Sequence, residues 1–499
     1  MRLRELIASA LPEATERAGP LPDAVVSTVV QDARRVTPGA LFVARRGARF
    51  DGHDFVADAV AAGAVAVVGA RSGPSDPALR AALSGVPYLT VADDRAALAA
   101  LAATFHGDPS RRIRVVGVTG TDGKTTTSAL LWWVLQGEAP TGLATTALSR
   151  LGEVPVPDAG GFTTPEATEV QAFLARAVDA GMRHVVLESS SHGLALGRLD
   201  RVRYAQAVWT NLSPEHLDFH GTLEAYADAK RSLLRRAPFA VLNRDDAAYP
   251  AFAADAADAT TYGADPDAAW RLLRTDAGAA EVAFRFGAPD GRERSARLPL
   301  AGGFNAWNAL AAIASAAHEG VDPDAAVARL ATFPGVPGRM QVVQAEPFAV
   351  ICDFAHTAPA LEKALRTLAP AGRTIVVIGA AGERDPGKRG PLGAVAARHA
   401  DLTVLTEEDP RGEDPEAILD ALEAGARAAG ATLGGDLLRV PDRTEAIRTA
   451  IAAARPGDAV VLAGKGHEAT LQRGATKHPW DEVAVARAAL AARREATGD

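Results

Sequence analysis

The chain has 499 residues, 48% of them apolar, and a formal net charge of −8 from 53 basic and 61 acidic side chains. That length is too great for one core and predicts roughly three domains, each with the apolar share of a globular protein. The charge is spread thinly with no basic block, which argues against nucleic acid as a partner. The single cysteine, Cys352, excludes an intramolecular disulfide framework, fits a reducing cytosol, and reads as a small buried apolar residue.

Residues 1–22 alternate charged and apolar positions and lack the apolar centre of a secretory signal. Residues 1–92 read as a small α/β unit. Short strands are expected at 25–30 and 40–43, helical spacing over 53–63 leads into a strand at 64–68, and 88–91 is a further strand. A helix over 94–105 ends at the breaker cluster His106-Gly107-Asp108-Pro109. The second region, 93–337, alternates strand and helix, with buried parallel strands at 185–187, 205–209 and 239–242. Its stretch 264–300 reads as a β-rich excursion. The longest uncharged run, 298–317, contains Gly302, Gly303, Asn305 and Asn308 and reads as a loop entering a buried helix, not a membrane span. The turn Phe333-Pro334-Gly335-Val336-Pro337-Gly338 precedes a third region, 338–499, where strands at 348–353, 374–379, 402–406 and 459–463 alternate with helices. The expected class is α/β: a small N-terminal α/β domain, a central domain with a mostly parallel sheet, and a C-terminal Rossmann-like domain. Sites in such folds sit at strand C-termini. A soluble, cytoplasmic protein is expected.

The most informative stretch runs from Val115 to Ser128. A β-branched run (Ile113, Val115, Val116, Val118) feeds Gly120-Thr121-Asp122-Gly123-Lys124-Thr125-Thr126, and an apolar helical pattern follows. Strand, glycine loop and helix together aim backbone N–H groups and a helix N-terminus at a phosphate. Lys124 would reach the terminal phosphates and the Thr125 hydroxyl would hold Mg²⁺. The common spelling of such a loop has a glycine where Val118 stands, so this is a variant. Further polar residues follow apolar strands: Glu188 after 185–187, a carboxylate well placed for Mg²⁺; Asn211-Leu212-Ser213-Pro214-Glu215-His216-Leu217-Asp218-Phe219-His220-Gly221 after 205–209; Lys230 in a helical pattern over 223–234; and Asn308, whose amide suits an adenine edge or a helix cap. Read alone, Lys230 is an ordinary solvated helix lysine.

Taken together, these segments resemble the Mur ligases, ATP-dependent amide-bond formers of cell-wall synthesis. The likeness runs from about residue 24 to Trp480. The loop is similar to the family's Thr-Gly-Thr-Asn-Gly-Lys-Thr, with Asp122 in place of Asn. Asn211 to Lys230 is similar to the family's Asn-Leu-x-x-x-His-Leu-Asp-x-His-Gly segment and its downstream lysine, which is carbamylated in the family. By that resemblance Lys230 as carbamate, Glu188 and His216 hold a second Mg²⁺, while Thr125 and the ATP phosphates hold the first. Gly120 to Thr126, Asn308, Arg339 and Asp353 match positions that contact ATP, Asp353 on the ribose. Lys124, Lys230, His216 and Glu188 form the implied catalytic set.

Within the family the likeness is strongest to the branch that adds the third residue of the peptide stem. Gly161-Phe162-Thr163-Thr164-Pro165 resembles its substrate-side Thr-Thr-Pro, and Ser190, His192 and Arg198 stand where it contacts UDP-N-acetylmuramoyl-L-alanyl-D-glutamate. Asp32-Ala33-Arg34 replaces the usual Asp-Ser-Arg of the uridine site, so Ala33 lacks a hydroxyl. The resemblance implies a UDP-muramyl substrate domain at 1–92, an ATP domain at 93–337 and an amino-acid domain at 338–499, acting as a monomer. In the implied reaction the D-glutamyl carboxylate is phosphorylated by ATP, and the amine of a free diamino acid displaces phosphate.

Arg384, Gly464 and Glu468 would hold the amino acid's backbone end. The side-chain selector is Asp-Asn-Pro-Arg for meso-diaminopimelate and reads Glu408-Asp409-Pro410-Arg411 here. Arg411 suits a distal carboxylate, whereas Asp409 would repel one and attract a plain ammonium. Diaminopimelate and L-lysine or L-ornithine therefore both stand. Three other readings are a folylpolyglutamate-synthetase-like ligase, against which the N-terminal unit and Gly464-Lys465-Gly466-His467-Glu468 speak; a non-catalytic nucleotide-binding cell-wall partner, which predicts loss of Lys230, His216 or Glu188; and a phosphate-loop transport or motor ATPase, which predicts an acidic strand end of the Walker B type and no third nucleotide-binding-like domain.

Overall fold

The structure is a computed structural model that describes residues 1–13, 16–47, 50–71, 76–156, 163–278, 280–368 and 372–497. Gly161 and Phe162, ahead of Thr163, lie outside the described residues. The chain divides into two compact units, residues 1–124 with 135–260, and residues 125–134 with 261–499.

The first unit opens with a helix, Leu3–Ala10, concealed in the alternation of residues 1–22. Its Leu3, Leu6, Ile7 and Ala10 form one buried stripe. The N-terminal sheet has the order Glu16–Ala18, Tyr88–Thr90, Ala66–Gly69, Ala40–Ala44, Thr28–Val30, parallel except for the first strand. The run 25–30 contributes only its second half, because Val25 bridges to Arg2 and is 63% exposed. Helix Asp94–Phe105 starts where the Asp93 carboxylate accepts from the Arg95 and Ala96 amides at 2.8 and 3.1 Å. It buries Leu98 and Leu101 in the core that holds Leu3, Leu6 and Leu41.

Also in this unit, five parallel strands lie in the order Ala240–Asn243, Gln206–Trp209, Arg114–Thr119, His184–Glu188, Thr141–Ala144. Apart from Arg114, the exposed first residue of its strand, they are buried along their lengths, as the continuous apolar runs require. Because all five point the same way, the loop after Thr119, Glu188 and the segment after Trp209 come out at one edge.

In the second unit the excursion forms an antiparallel meander of Trp270–Ala277, Val282–Gly287 and Glu293–Leu298. Its last strand alternates exposed and buried residues, the period of a one-sided sheet. The C-terminal sheet has the order Gln341–Gln344, Ala349–Asp353, Ala459–Ala463, Thr374–Ile378, Leu402–Leu405, Leu437–Arg439, parallel apart from the first strand. One core packs on each face. Cys352 sits in the second, and burial pushes its thiol well above the usual range, so it acts as a small apolar group. No helix among the described residues is long and apolar enough to cross a membrane.

Arg443 and Glu482 are fully buried, paired at 3.1 and 3.2 Å through Nε, and Arg443 also donates to the carbonyls of Glu407 and Ala463. The pair fixes the loop after Leu405 and the end of Ala459–Ala463 to helix Glu482–Thr497. Glu482→Ala, which strands a buried guanidinium, should cost about 3–5 kcal/mol. Differential scanning calorimetry should show the lost stability as a lowered melting temperature.

Candidate active site

The phosphate loop is shaped by its neighbour strand. Gly120 has φ +151°, and a Cβ there would lie 1.9 Å from Thr210 Oγ1. Only glycine lets the loop pass that close. The Thr121 amide donates to the Asn211 carbonyl, the Asp122 amide donates to Asn211 Oδ1 at 2.9 Å, and Thr210 Oγ1 donates to the Asp122 carbonyl at 2.6 Å. Thr121 Oγ1 accepts from the Ser213 amide and from Tyr226 Oη. Asn211 is therefore a brace for the loop. Val118, where the common motif has glycine, is still inside the buried strand Arg114–Thr119. The turn starts later, so a side chain there obstructs nothing. Helix Lys124–Gln136 begins immediately after, with Thr125 buried and Thr126 half-buried in its first turn.

A cavity of about 300 Å³ in the first unit is lined by Lys124, Thr163, Thr164, Ser190, Ser191, His192, Arg198, His216, Tyr226 and Lys230. Eight of these residues carry a signal in the sequence; Ser191 and Tyr226 do not. Tyr226 lies one helical turn before Lys230 and reads in sequence as core, which conceals its hydroxyl. Thr164 Oγ1 and Ser190 Oγ are 2.9 Å apart, and Arg198 donates to the Thr164 carbonyl and pairs with Glu166 at 2.9 Å. Arg45 grips the same Glu166 at 2.9 Å, tying the loop after Ala40–Ala44 to this wall. Ala33 is half-buried against the apolar cluster of the N-terminal sheet, while Asp32 is occupied by Arg34.

Lys230 is not the solvated lysine of the simplest reading. It is 1% exposed, its Nζ donates to the Gly120 carbonyl at 2.5 Å, and it lies 4.3 Å from the Tyr226 ring centre. Burial, and next the charge of Lys124, drive its pKa well below the lysine value; Glu215, Asp122 and Glu188 pull the other way. Lys124 Nζ donates to the Thr121 carbonyl at 2.7 Å. Glu188 is buried at its strand end, where it accepts from the Thr146 amide at 3.0 Å. His216 is exposed, at φ +55°, with its ring 4.7 Å from that of His192. Burial, with His216, His220 and Arg198 nearby, lowers His192 to about 4, so it is neutral at pH 7.

In the second unit, Asn308 lies inside helix Asn305–His318 rather than at its cap. Its Oδ1 accepts from Thr127 Oγ1 at 3.3 Å, and its Nδ2 donates to Asn305 Oδ1 at 2.8 Å. Asp353 accepts from the Met340 and Ala355 amides, and Arg339 lies over the Phe354 ring. Asp353 ends its strand, and the loops after three neighbouring parallel strands carry Arg384, Glu408 to Arg411, and Gly464 to Glu468. Here one expectation is corrected. Asp409 does not present a free negative charge: it is buried, its Oδ1 pairs with Lys465 Nζ at 2.8 Å and accepts from the Gln472 amide at 2.9 Å. Lys465 also pairs with Glu468 at 2.9 Å. Glu408 differs: its Oε2 is buried and makes no hydrogen bond. Burial pushes Glu408 up to about 7. Gly464, at φ +103°, would place a Cβ 2.8 Å from that oxygen. Arg411 donates to the Gly382 carbonyl, and Arg384 is exposed.

Three family models match the chain: the Mur ligase family catalytic domain at residues 25–106, the Mur ligase middle domain at 118–316, and the Mur ligase glutamate ligase domain at 338–466. A UDP-N-acetylmuramyl-tripeptide synthetase of Deinococcus radiodurans is 49% identical over 99% of this chain and 100% of its own length. The chain belongs to the Mur ligase family. A UDP-N-acetylmuramoyl-L-alanyl-D-glutamate–2,6-diaminopimelate ligase of Streptomyces coelicolor is 42% identical over 95% of this Mur ligase and 94% of the relative. A solved structure of a ligase with the same name superposes with a TM-score of 0.69 at 29% identity, covering 99% of both chains. The α/β fold with its mostly parallel sheets is thus the Mur ligase fold. The match of a Mur ligase family model at 25–106 also speaks against the folylpolyglutamate-synthetase reading.

For this Mur ligase, Gly120→Ala should force the loop away from Thr210. Strain of about 1–3 kcal/mol corresponds to nucleotide binding weaker by roughly 5- to 150-fold. Titration with ADP and its fluorescent analogues measures this directly.

Proposed function

We propose that this chain is an ATP-dependent ligase that adds a diamino acid to UDP-N-acetylmuramoyl-L-alanyl-D-glutamate in peptidoglycan synthesis. The observation that carries the reading is the cavity that unites Lys124 with Thr164, Ser190, His192, Arg198 and Lys230. In this reading residues 1–92 take the uridine nucleotide, 93–337 take ATP and 338–499 take the amino acid. The first step brings a carboxylate against a polyanion, so neutralising charge dominates it. The loop amides and Lys124 hold the ATP phosphates, with Thr126, Asn308, Arg339 and Asp353 assigned to the rest of the nucleotide. The acyl phosphate formed on the D-glutamyl carboxyl is then attacked by the amine, and phosphate leaves.

Among the described residues no group of three or more His, Cys, Asp or Glu side chains converges as metal ligands. Glu188 and His216 need a third anionic donor, and an ammonium on Lys230 would repel a cation. Burial holds Lys230 toward its neutral amine, the form that takes up CO₂: the N–C bond forms, a proton leaves, and an anionic oxygen donor results. With that carbamate the set fits Mg²⁺, with Thr125 as the ligand beside the phosphates. Bound Mg²⁺ supplies positive charge to the reacting oxyanions. The retention of Lys230, His216 and Glu188 favours an enzyme over a non-catalytic partner.

Two amino acids remain in play, each on its own observation. Arg411 and the names of the relatives favour diaminopimelate. The Glu408 carboxylate, whose buried Oε2 makes no hydrogen bond, favours a plain side-chain ammonium, as in L-lysine or L-ornithine. The Asp409–Lys465 pair removes the repulsion of a distal carboxylate expected from Asp409.

Lys230→Ala should keep the fold, because alanine is the strongest helix former. It should lose turnover by at least about 100-fold, and short carboxylates should restore part of it. Full activity in the variant refutes the carbamate role. A panel of ATP, the nucleotide dipeptide and each diamino acid, read as tripeptide product, identifies the third substrate. If Glu408 binds an ammonium, apparent affinity for the amino acid should rise between pH 6 and 8 as Glu408 ionises around 7. Glu408→Gln should remove that component while leaving the KM for ATP unchanged.

A further inference from the structure

The parallel strands that deliver the phosphate loop at one edge start at the other, and that edge has its own cavity. It has a volume of about 490 Å³ and is lined by Arg111, Arg112, Arg114, Arg183 and Arg203, with Ser110 and the buried Ile113 and Tyr204. Arg114 is the first residue of its strand, and Arg183 and Arg203 lie just ahead of His184–Glu188 and Gln206–Trp209. Three adjacent strands in register therefore gather five arginines from three distant parts of the sequence. The backbone holding them is anchored: the Arg114 amide donates to the Arg183 carbonyl at 3.2 Å, and the Arg203 amide donates to Ser110 Oγ at 3.1 Å.

The charge here runs against the rest of the molecule. The chain is acidic overall, at −8, yet no carboxylate lines this cavity. Arg111, Arg112, Arg183 and Arg203 have no ion-pair partner among the described residues, unlike most arginines of the C-terminal sheet. Like charges gathered at one exposed edge repel modestly through water and together raise the local positive potential, which favours an anion among them. Guanidinium groups match phosphoryl oxygens in pairs of parallel hydrogen bonds. The volume falls within the range of small-molecule pockets, and exposed guanidinium groups around an open hollow can converge on a compact polyanion.

We propose that this arginine-lined cavity is a second anion site, which takes a small soluble ligand carrying two or more phosphoryl groups. It is distinct from the phosphate loop, about 20 Å away along a six-residue strand. Nothing in the ligase reading requires it, so the two stand or fall separately.

Calorimetric titration of inorganic pyrophosphate into the whole chain, in metal-free buffer, tests it. Pyrophosphate should bind the unaltered chain and Lys124→Ala with similar affinity. The double variant Arg183→Ala/Arg203→Ala should bind at least about tenfold more weakly. Arg183→Lys/Arg203→Lys, which keeps the charge but loses the planar fork, should fall between the two and guards against misfolding of the first variant. Binding that vanishes in Lys124→Ala and survives in the arginine variants assigns the phosphate to the loop and overturns the proposal. So does the absence of pyrophosphate binding at millimolar concentration. Sedimentation with phosphatidylglycerol vesicles, but not phosphatidylcholine ones, in the absence of pyrophosphate binding would make the face a membrane contact instead, and also overturns it.

Discussion

The close passage of the Gly120 backbone against Thr210 is the constraint on which the candidate site of the first unit depends. The glycine loop does not hold its own shape. It is braced by the segment after Gln206–Trp209, through Thr210, Asn211 and Ser213. Two lysines are then anchored to its carbonyls, Lys124 to Thr121 and Lys230 to Gly120. Position, burial and mutual repulsion of these lysines all follow from a loop that has one place to go.

That arrangement divides two chemically identical side chains between two roles. Lys230, buried and facing another cation, is held toward its neutral, nucleophilic form, while Lys124 is half-buried at the start of a helix. The same economy of charge appears in the C-terminal sheet. Lys465 balances Asp409 and Glu468, and Arg443 balances Glu482, while Glu408 Oε2 is buried without a hydrogen bond. A buried acid with no donor is expensive, and a positively charged ligand is the natural complement.

The two edges of the parallel sheet in the first unit carry contrasting chemistry. The C-terminal edge mixes cations, histidines, hydroxyls and Glu188, as a reacting site requires. The N-terminal edge is lined by arginines without carboxylates. Because parallel strands share one direction, any residue type placed at every strand start accumulates at one edge.

The sequence by itself determined the strand–loop–helix at Lys124, the parallel architecture, the C-terminal strands and most of the residues around the 300 Å³ cavity. Those features are local: apolar period, glycine placement and short motifs carry them. Three things were decided only by tertiary structure. Lys230 has the sequence surroundings of a surface lysine, and only the packing of its helix against the phosphate loop buries it. Asp409 reads as a free charge until the fold brings Lys465 to it from 56 residues away. The arginines at 111–114, 183 and 203 look scattered along the chain and become one cluster through strand register. Electrostatic character depends on distance in space, which a linear pattern of residue types does not contain.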